Sequence, residues 1–374
     1  MWTILAIFFL QFADKVGAER VCLSETAIEK REARGIAIDL LDYEVSPVYL
    51  DSVRNIGAKV IHTSRWINGA TVEANDEAIR AIDKCGFVDT IYLTRMEPTE
   101  QAFDIPSISL RKRIIAEDTL PDAPLPVASI EQLDQLNLLP LHQAGYKGKG
   151  IRIGIADGGF YNADSLAVLP QKQWLGYADF TDDEDDFFGS TGNHGTLCLT
   201  AIIAETADYQ GTATEAEYFL FRTEEHSTES PKEIDNWVTA IEMADSLGLD
   251  IVSTSLGYTT FDDESFNFAY ADMDGRSSRG AQAAIIAARK GMLLIVAAGN
   301  DGNKAWHYLS TPADADSILT VGAVDIDRAI ANFSSFGPSA DGRIKPEICA
   351  VGKQTILLNP SNDEIMKGNG TSFA

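Results

Sequence analysis

Basic residues are scarce in this chain: its 374 residues carry 30 lysines and arginines against 56 acidic side chains, a formal net charge of -26. Phosphate binding needs a clustered surplus of cations to displace counterions, so nucleic acid is not an expected partner. Cysteine is nearly as sparse. Cys22, Cys85, Cys198 and Cys349 lie far apart, with no C-x-x-C pair and no histidine at zinc spacing. They declare no metal site and no disulfide framework, a single bridge being left open, and Cys198 in its apolar stretch reads as a small core residue. Long apolar runs are missing too. Trp2–Phe12 matches the core of a signal peptide and is too short to cross a bilayer as a helix, and no other run approaches that length. Residues 1–18 are therefore expected to be a leader, which implies export and no membrane span. Its pattern is imperfect, because no Lys or Arg precedes the apolar run and the cleavage-like Val16-Gly17-Ala18 follows a charged Asp14-Lys15.

What is present falls into three stretches. Residues 19–96 alternate helix-like and strand-like segments: Thr26–Gly35, Pro47–Ile56 and Asp76–Lys84 as helices, and Lys59–His62, Ala70–Glu73 and Phe87–Leu93 as strands. This is a small α+β unit. Residues 97–128 contain Pro98, Pro106, Pro121, Pro124 and Pro126 and read as a linker, in which Arg111-Lys112-Arg113 is either a processing site or solvated charge. From residue 129 to 374 apolar strands alternate with helices. The strands are Ile151–Ala156, Glu217–Arg222, Ile251–Ser255, Leu293–Ala297 and Ile318–Val321, and the helices Gly195–Ala204, Glu233–Leu247 and Gly280–Lys290. Continuous apolar strands separated by helices call for a parallel sheet covered on both faces, an α/β fold with active residues at the carboxyl ends of strands. The acidic run Asp182-Asp183-Glu184-Asp185-Asp186 lacks the alternation of a calcium loop and reads as a solvated loop.

Four short segments carry chemistry. Asp157 follows an apolar strand and precedes Gly158-Gly159, which suits a buried orienting carboxylate, although alone it reads as a turn aspartate. His194 opens His194-Gly195-Thr196 at the start of an apolar helix, where the partial positive charge of a helix N-terminus disfavours a permanent imidazolium. Asn300 closes Ala297-Ala298-Gly299-Asn300 at a strand end, placed to donate to a developing oxyanion or simply to turn the chain. Ser372 sits in Gly370-Thr371-Ser372-Phe373-Ala374, where small residues let a substrate carbonyl approach. A serine hydroxyl needs an imidazole to take its proton and a carboxylate to hold that imidazole, and the three types occur in the order Asp, His, Ser.

In these segments, and from about Ser129 to its last residue, the chain resembles the subtilisin-like (subtilase) serine peptidases. Leader regions of secreted Bacteroidetes-type subtilases are similar to Phe12-Ala13-Asp14-Lys15, Glu29-Lys30-Arg31-Glu32-Ala33-Arg34-Gly35-Ile36 and Ser64-Arg65-Trp66-Ile67-Asn68. The resemblance implies a subtilisin-like three-layer fold with a mainly parallel sheet, preceded by an α+β prodomain that chaperones folding and caps the site until removed. It assigns Asp157, His194 and Ser372 to the triad, Asn300 to the oxyanion, and Ser255, Leu256 and Gly257 to a wall that pairs with the substrate backbone. Gly158 departs from the Ser or Thr common at that position. The implied activity is endopeptidase cleavage of protein or peptide substrates without a catalytic cofactor, with structural Ca2+ frequent in the family and a secreted, cell-surface or periplasmic location. Ala374 comes two residues after the nucleophile, where the family continues into a helix, so little activity is expected of the chain as written. Two other roles are weighed: a non-catalytic subtilase fold used for binding, which predicts loss of a triad residue, and a prodomain acting in trans as chaperone or inhibitor. An esterase is disfavoured by the absence of G-x-S-x-G at the site and by the chain order.

Overall fold

A computed structural model of the chain describes residues 5–96, 128–181, 186–189 and 192–374. The first unit contains β1 (Leu5–Phe12), α1 (Glu25–Ala33), α2 (Pro47–Ile56), β2 (Lys59–Ser64), β3 (Gly69–Asn75), α3 (Asp76–Ile82) and β4 (Val88–Met96). Its strands lie in the order β2-β3-β1-β4, every neighbour antiparallel. Helix starts are written locally: the side chains of Ser24, Ser46 and Asn75 accept from the N–H groups of Ala27, Tyr49 and Ala78. Pro47 opens α2, and Gly57 ends it at φ 108°, a left-handed conformation that suits glycine.

One expectation is corrected here. Leu5–Phe12, read as the heart of a leader, is the inner strand β1, hydrogen-bonded to β3 and β4 along both edges. The reason for its nearly continuous apolarity, interrupted by Gln11, is burial on both faces. Leu10 and Phe12 pack with Val53 and Ile82 of the unit's own helices, whereas Phe9 joins the core of the second unit. A strand covered on both sides has the same composition as a signal-peptide core. The linker at 97–127, with its basic triplet, and Asp182–Asp185 lie outside the described residues.

The second unit contains α4 (Ile130–Gln135), α5 (Leu139–Gln143), β5 (Arg152–Asp157), β6 (Trp174–Asp179), α6 (His194–Ile203), β7 (Glu217–Arg222), α7 (Lys232–Leu247), β8 (Ile251–Thr254), α8 (Arg279–Arg289), β9 (Leu293–Ala297), β10 (Leu319–Val324) and β11 (Ile348–Val351), followed by an antiparallel hairpin, β12 (Lys353–Leu358) and β13 (Ile365–Asn369). Seven strands form one parallel sheet in the order β11-β10-β9-β8-β5-β7-β6. Alternation along the strands feeds two cores. Ala156, Phe219 and Phe221 face α7 and α8 with Trp237 and Ala284, while Ile153, Ile155, Tyr218 and Leu220 face α6 with Leu199 and Ile203. The sheet is thus the middle of three layers, as expected of the α/β fold. Strands β6 and β11 escape sequence reading because both are short edges with little buried apolar surface.

The two units meet over α7 and α8. The buried Glu242 carboxylate on α7 accepts from Ser64 Oγ at 2.5 Å and from the N–H groups of Arg65 and Trp66 at 2.9 and 3.1 Å, ending the β2 strand of the first unit. Asp245, one turn on, takes Arg31 at 2.6 Å and Arg65 at 2.7 Å. Charges this deeply buried persist only when paired, and here each finds its partner across the interface.

Candidate active site

A parallel sheet delivers the ends of its strands to one side, and three site segments follow from that. Asp157 is the last residue of β5, with no exposure to solvent. Its Oδ1 accepts the N–H of Gly158 at 2.8 Å and lies 2.8 Å from His194 Nδ1, with Oδ2 at 3.0 Å. His194 is the first residue of α6, and its side chain keeps 43% exposure, so the ring bridges a buried carboxylate and the surface. Gly195 permits this approach: a Cβ there would come within 2.8 Å of Asp157 Cβ and 2.7 Å of the Gly159 carbonyl oxygen. The Asp157 carboxylate raises the basicity of the imidazole above its ordinary value, against the opposing effect of burial. With Nδ1 donating to the carboxylate, Nε2 is the nitrogen left to accept a proton.

Asn300 follows β9 through Gly299, whose φ of 107° suits glycine. The Asn300 Oδ1 accepts from the backbone N–H of Thr371 at 2.9 Å and from its hydroxyl at 3.2 Å, which leaves the amide N–H2 group pointing away from that anchor. Ser372 lies in the single 3-10 turn Thr371–Phe373. Its hydroxyl donates to the Ser255 carbonyl at 3.4 Å, its own carbonyl accepts from Ser255 Oγ at 3.1 Å, and the Phe373 ring centroid lies 5.6 Å from that of His194. Among the described residues no hydrogen bond joins Ser372 to His194. The wall segment begins directly after β8: Ser255 touches Ser372, Leu256 packs against the α7 and α8 core, and Gly257 adjoins Ser310 so closely that a Cβ there would overlap its hydroxyl.

Two features escape sequence reasoning. Cys198 is buried as expected, but against the site: its Sγ lies 3.3 Å from Ser255 Oγ, 3.6 Å from the Ser372 carbonyl oxygen and 4.0 Å from His194 Nδ1. The available signal is its position four residues, about one helical turn, after His194. All four cysteines are free thiols, so no bridge forms. The second feature is acidic. Because β7 neighbours β5, the residues after Arg222 land beside Asp157, whose carbonyl accepts from the Thr223 N–H at 3.2 Å. There Glu224, Glu229 and Glu233 bring carboxylate oxygens within 4.8 Å of one another. Tyr258 donates to Glu224 at 2.7 Å, and the N–H groups of Glu225 and Ser230 donate to Glu233 at 2.8 and 3.1 Å. Burial is the main cause that pushes Glu224 up to about 8 and Glu233 up to about 10, with mutual repulsion adding to it.

Comparison with known proteins gives two family matches. A model described as the Subtilase family covers residues 148–374, and one described as the Peptidase S8 propeptide domain of Bacteroidota covers residues 8–105. Subtilisin DY of Bacillus licheniformis is 30% identical over 236 residues, which is 62% of this chain and 74% of that protein. Serine protease AprX of Bacillus subtilis (strain 168) is 27% identical over 238 residues, 59% of this chain and 50% of AprX. Membrane-bound transcription factor site-1 protease of Mus musculus is 27% identical over 221 residues, 57% of this chain and 18% of that protein. The matched part of this chain thus spans half of AprX and less of the mouse protein.

Proposed function

We propose, from the premise that the chain belongs to the Subtilase family of serine peptidases, that it is an endopeptidase using Ser372 as nucleophile, His194 as base and Asp157 as the orienting group. The observation that carries this reading is the Asp157–His194 contact at 2.8 Å, with Ser372 held beside it by Ser255. Ser372 Oγ attacks the scissile carbonyl while His194 Nε2 takes its proton, and the imidazolium then hands that proton to the departing amine. Asp157 holds the Nδ1 proton and stabilises the transient cation. The Asn300 amide, aimed by Thr371, donates to the tetrahedral oxyanion, a role whose loss typically lowers kcat about 10²–10³-fold. Water then releases the acyl group by the same relay in reverse order.

The extended segment Ser255-Leu256-Gly257 is proposed to pair with the substrate backbone, which fits protein and peptide substrates. The N-terminal unit is proposed to act as the intramolecular inhibitor, a role supported by its propeptide match and its buried contacts with α7 and α8. Action outside the cytoplasm rests on that same match. No metal takes part in the proposed reaction. A Ca2+ ion would serve the fold alone, and the carboxylates of Glu224, Glu229 and Glu233 are an oxygen-only donor set of the kind it takes.

The test is cleavage of an unfolded protein substrate by the full-length gene product, read as new N-termini by mass spectrometry. Cleavage that disappears in Ser372→Ala and His194→Ala supports the assignment. Equal cleavage by the variants contradicts it.

A further inference from the structure

We propose that Ser310 blocks the space that receives the substrate side chain on the acyl side of the scissile bond, and so restricts cleavage to positions after glycine, alanine or serine. The inference deepens the peptidase reading above and rests on it. Strands β8 and β9 are neighbours in the sheet, and the chain leaves both at the same edge, through Ser255-Leu256-Gly257 after the first and Ala298-Gly299-Asn300 after the second. Both segments touch the turn that carries Ser372. Ser255 Oγ donates to the Ser372 carbonyl at 3.1 Å, and the Gly299 N–H donates to the Thr371 hydroxyl at 3.2 Å. A substrate carbonyl held between Ser372 Oγ and the Asn300 amide therefore sends its own side chain between the two segments.

Each segment presents a glycine to that space, and Ser310 fills what they leave open. A Cβ added to Gly257 would come within 2.0 Å of Ser310 Oγ, and one added to Gly299 within 3.4 Å of the same atom, so a single hydroxyl oxygen lies against both walls. Ser335 Oγ closes in from the Gly299 side, 2.8 Å from that second Cβ position. Ser310 is 4% exposed, and among the described residues its hydroxyl has no hydrogen-bond partner. A hydroxyl buried without a partner costs stability, so its own bonding does not explain it. The shape it gives the pocket does. Retreat of Ser310 is blocked by the next residue: buried Thr311 exchanges both backbone hydrogen bonds with Tyr258, at 2.8 and 3.2 Å, and its hydroxyl bonds to Ser278, the N-cap of α8. A leucine or phenylalanine side chain would have to displace this packed segment, the penalty of an overfilled core, whereas glycine, alanine and serine stop short of it.

The experiment uses the full-length gene product and a peptide library randomised at the residue before the scissile bond, with cleavage sites read by mass spectrometry and kcat/KM measured for matched alanine, leucine and phenylalanine peptides. In the wild type, alanine is expected to exceed leucine and phenylalanine by at least about 10-fold, the lower end of what one surplus methylene costs in a closed pocket. Ser310→Gly empties the space, and its leucine-to-alanine ratio should rise at least about 10-fold over the wild type. Ser310→Ala, which removes the oxygen that lies against both glycines and keeps a side chain, should shift the ratio in the same direction by less. A loss of folding alone would lower every peptide together and leave these ratios unmoved. Wild-type cleavage that favours leucine or phenylalanine overturns the proposal, as does a ratio unchanged in both variants. A protein that cleaves no peptide and takes no fluorophosphonate defeats the peptidase reading, and the pocket assignment falls with it, whereas cleavage with the wrong preference overturns the role of Ser310 alone.

Discussion

The backbone N–H of Thr371 donates to the side-chain oxygen of Asn300 at 2.9 Å, so the residue before the proposed nucleophile fixes which end of the amide faces a substrate. Asn300→Ala removes the donor and is expected to lower kcat about 10²–10³-fold with little change in KM, because the interaction strengthens only as charge develops on the carbonyl oxygen. Steady-state kinetics with a peptide substrate measure the split. A change confined to KM would assign Asn300 to ground-state binding.

Asp157→Asn keeps the shape of the site and removes the charge. It is expected to lower kcat about 10⁴-fold, as loss of the carboxylate in a comparable triad does. The pH profile adds an independent readout. Asp157 raises the His194 pKa, and the base works only when neutral, so the acid limb of the wild-type rate lies above the ordinary imidazole value of 6.5. In the variant that limb moves to lower pH. An unmoved limb would separate Asp157 from the titration of His194.

The acidic group beside Asp157 makes stability depend on pH in the unusual direction. Glu224 and Glu233 have folded-state values raised above 4.5, to about 8 and about 10, so the folded protein binds more protons than the unfolded chain across that interval. Their contribution is complete below the unfolded value near 4.5 and declines as pH rises through the folded values. Glu224→Gln and Glu233→Gln should each flatten the fall in Tm between pH 5 and pH 8, measured by calorimetry without added divalent cations. Parallel curves for wild type and both variants would contradict the prediction.

Arg65 spans the two units, its backbone N–H on Glu242 and its guanidinium on Asp245. Arg65→Ala leaves a buried carboxylate short of a partner, a change that costs about 3–5 kcal/mol. Calorimetry of the full chain should show a lower Tm, and limited proteolysis should cut the first unit sooner. Arg31 also reaches Asp245, so Arg31→Ala together with Arg65→Ala should deviate from additivity. Unchanged unfolding in the single variant would show that this interface does not rest on the ion pair.

Elements whose local sequence carries the whole signal are legible from the amino acids alone. The strands Glu217–Arg222 and Leu293–Ala297 occupy the expected positions because each holds an unbroken apolar run, Tyr218–Phe221 in the first and Leu293–Ala297 in the second. His194 likewise opens its helix as the pattern requires. Leu5–Phe12 misleads because burial on two faces gives a strand the composition of a leader, and only the partner unit reveals the second face. Cys198 and Glu224 are opaque for a related reason. Their surroundings come from β8, β5 and the Ser372 turn, contacts that depend on strand order and not on neighbours in sequence.

The most direct measurement is labelling of the full-length gene product with a fluorophosphonate, which reacts only with an activated serine, followed by mapping of the modified peptide. A single adduct on Ser372 is expected, absent from Ser372→Ala and strongly slowed in His194→Ala and Asp157→Asn. A folded, processed protein that takes no label, or takes it on another serine, would contradict the assignment of Ser372 as the nucleophile.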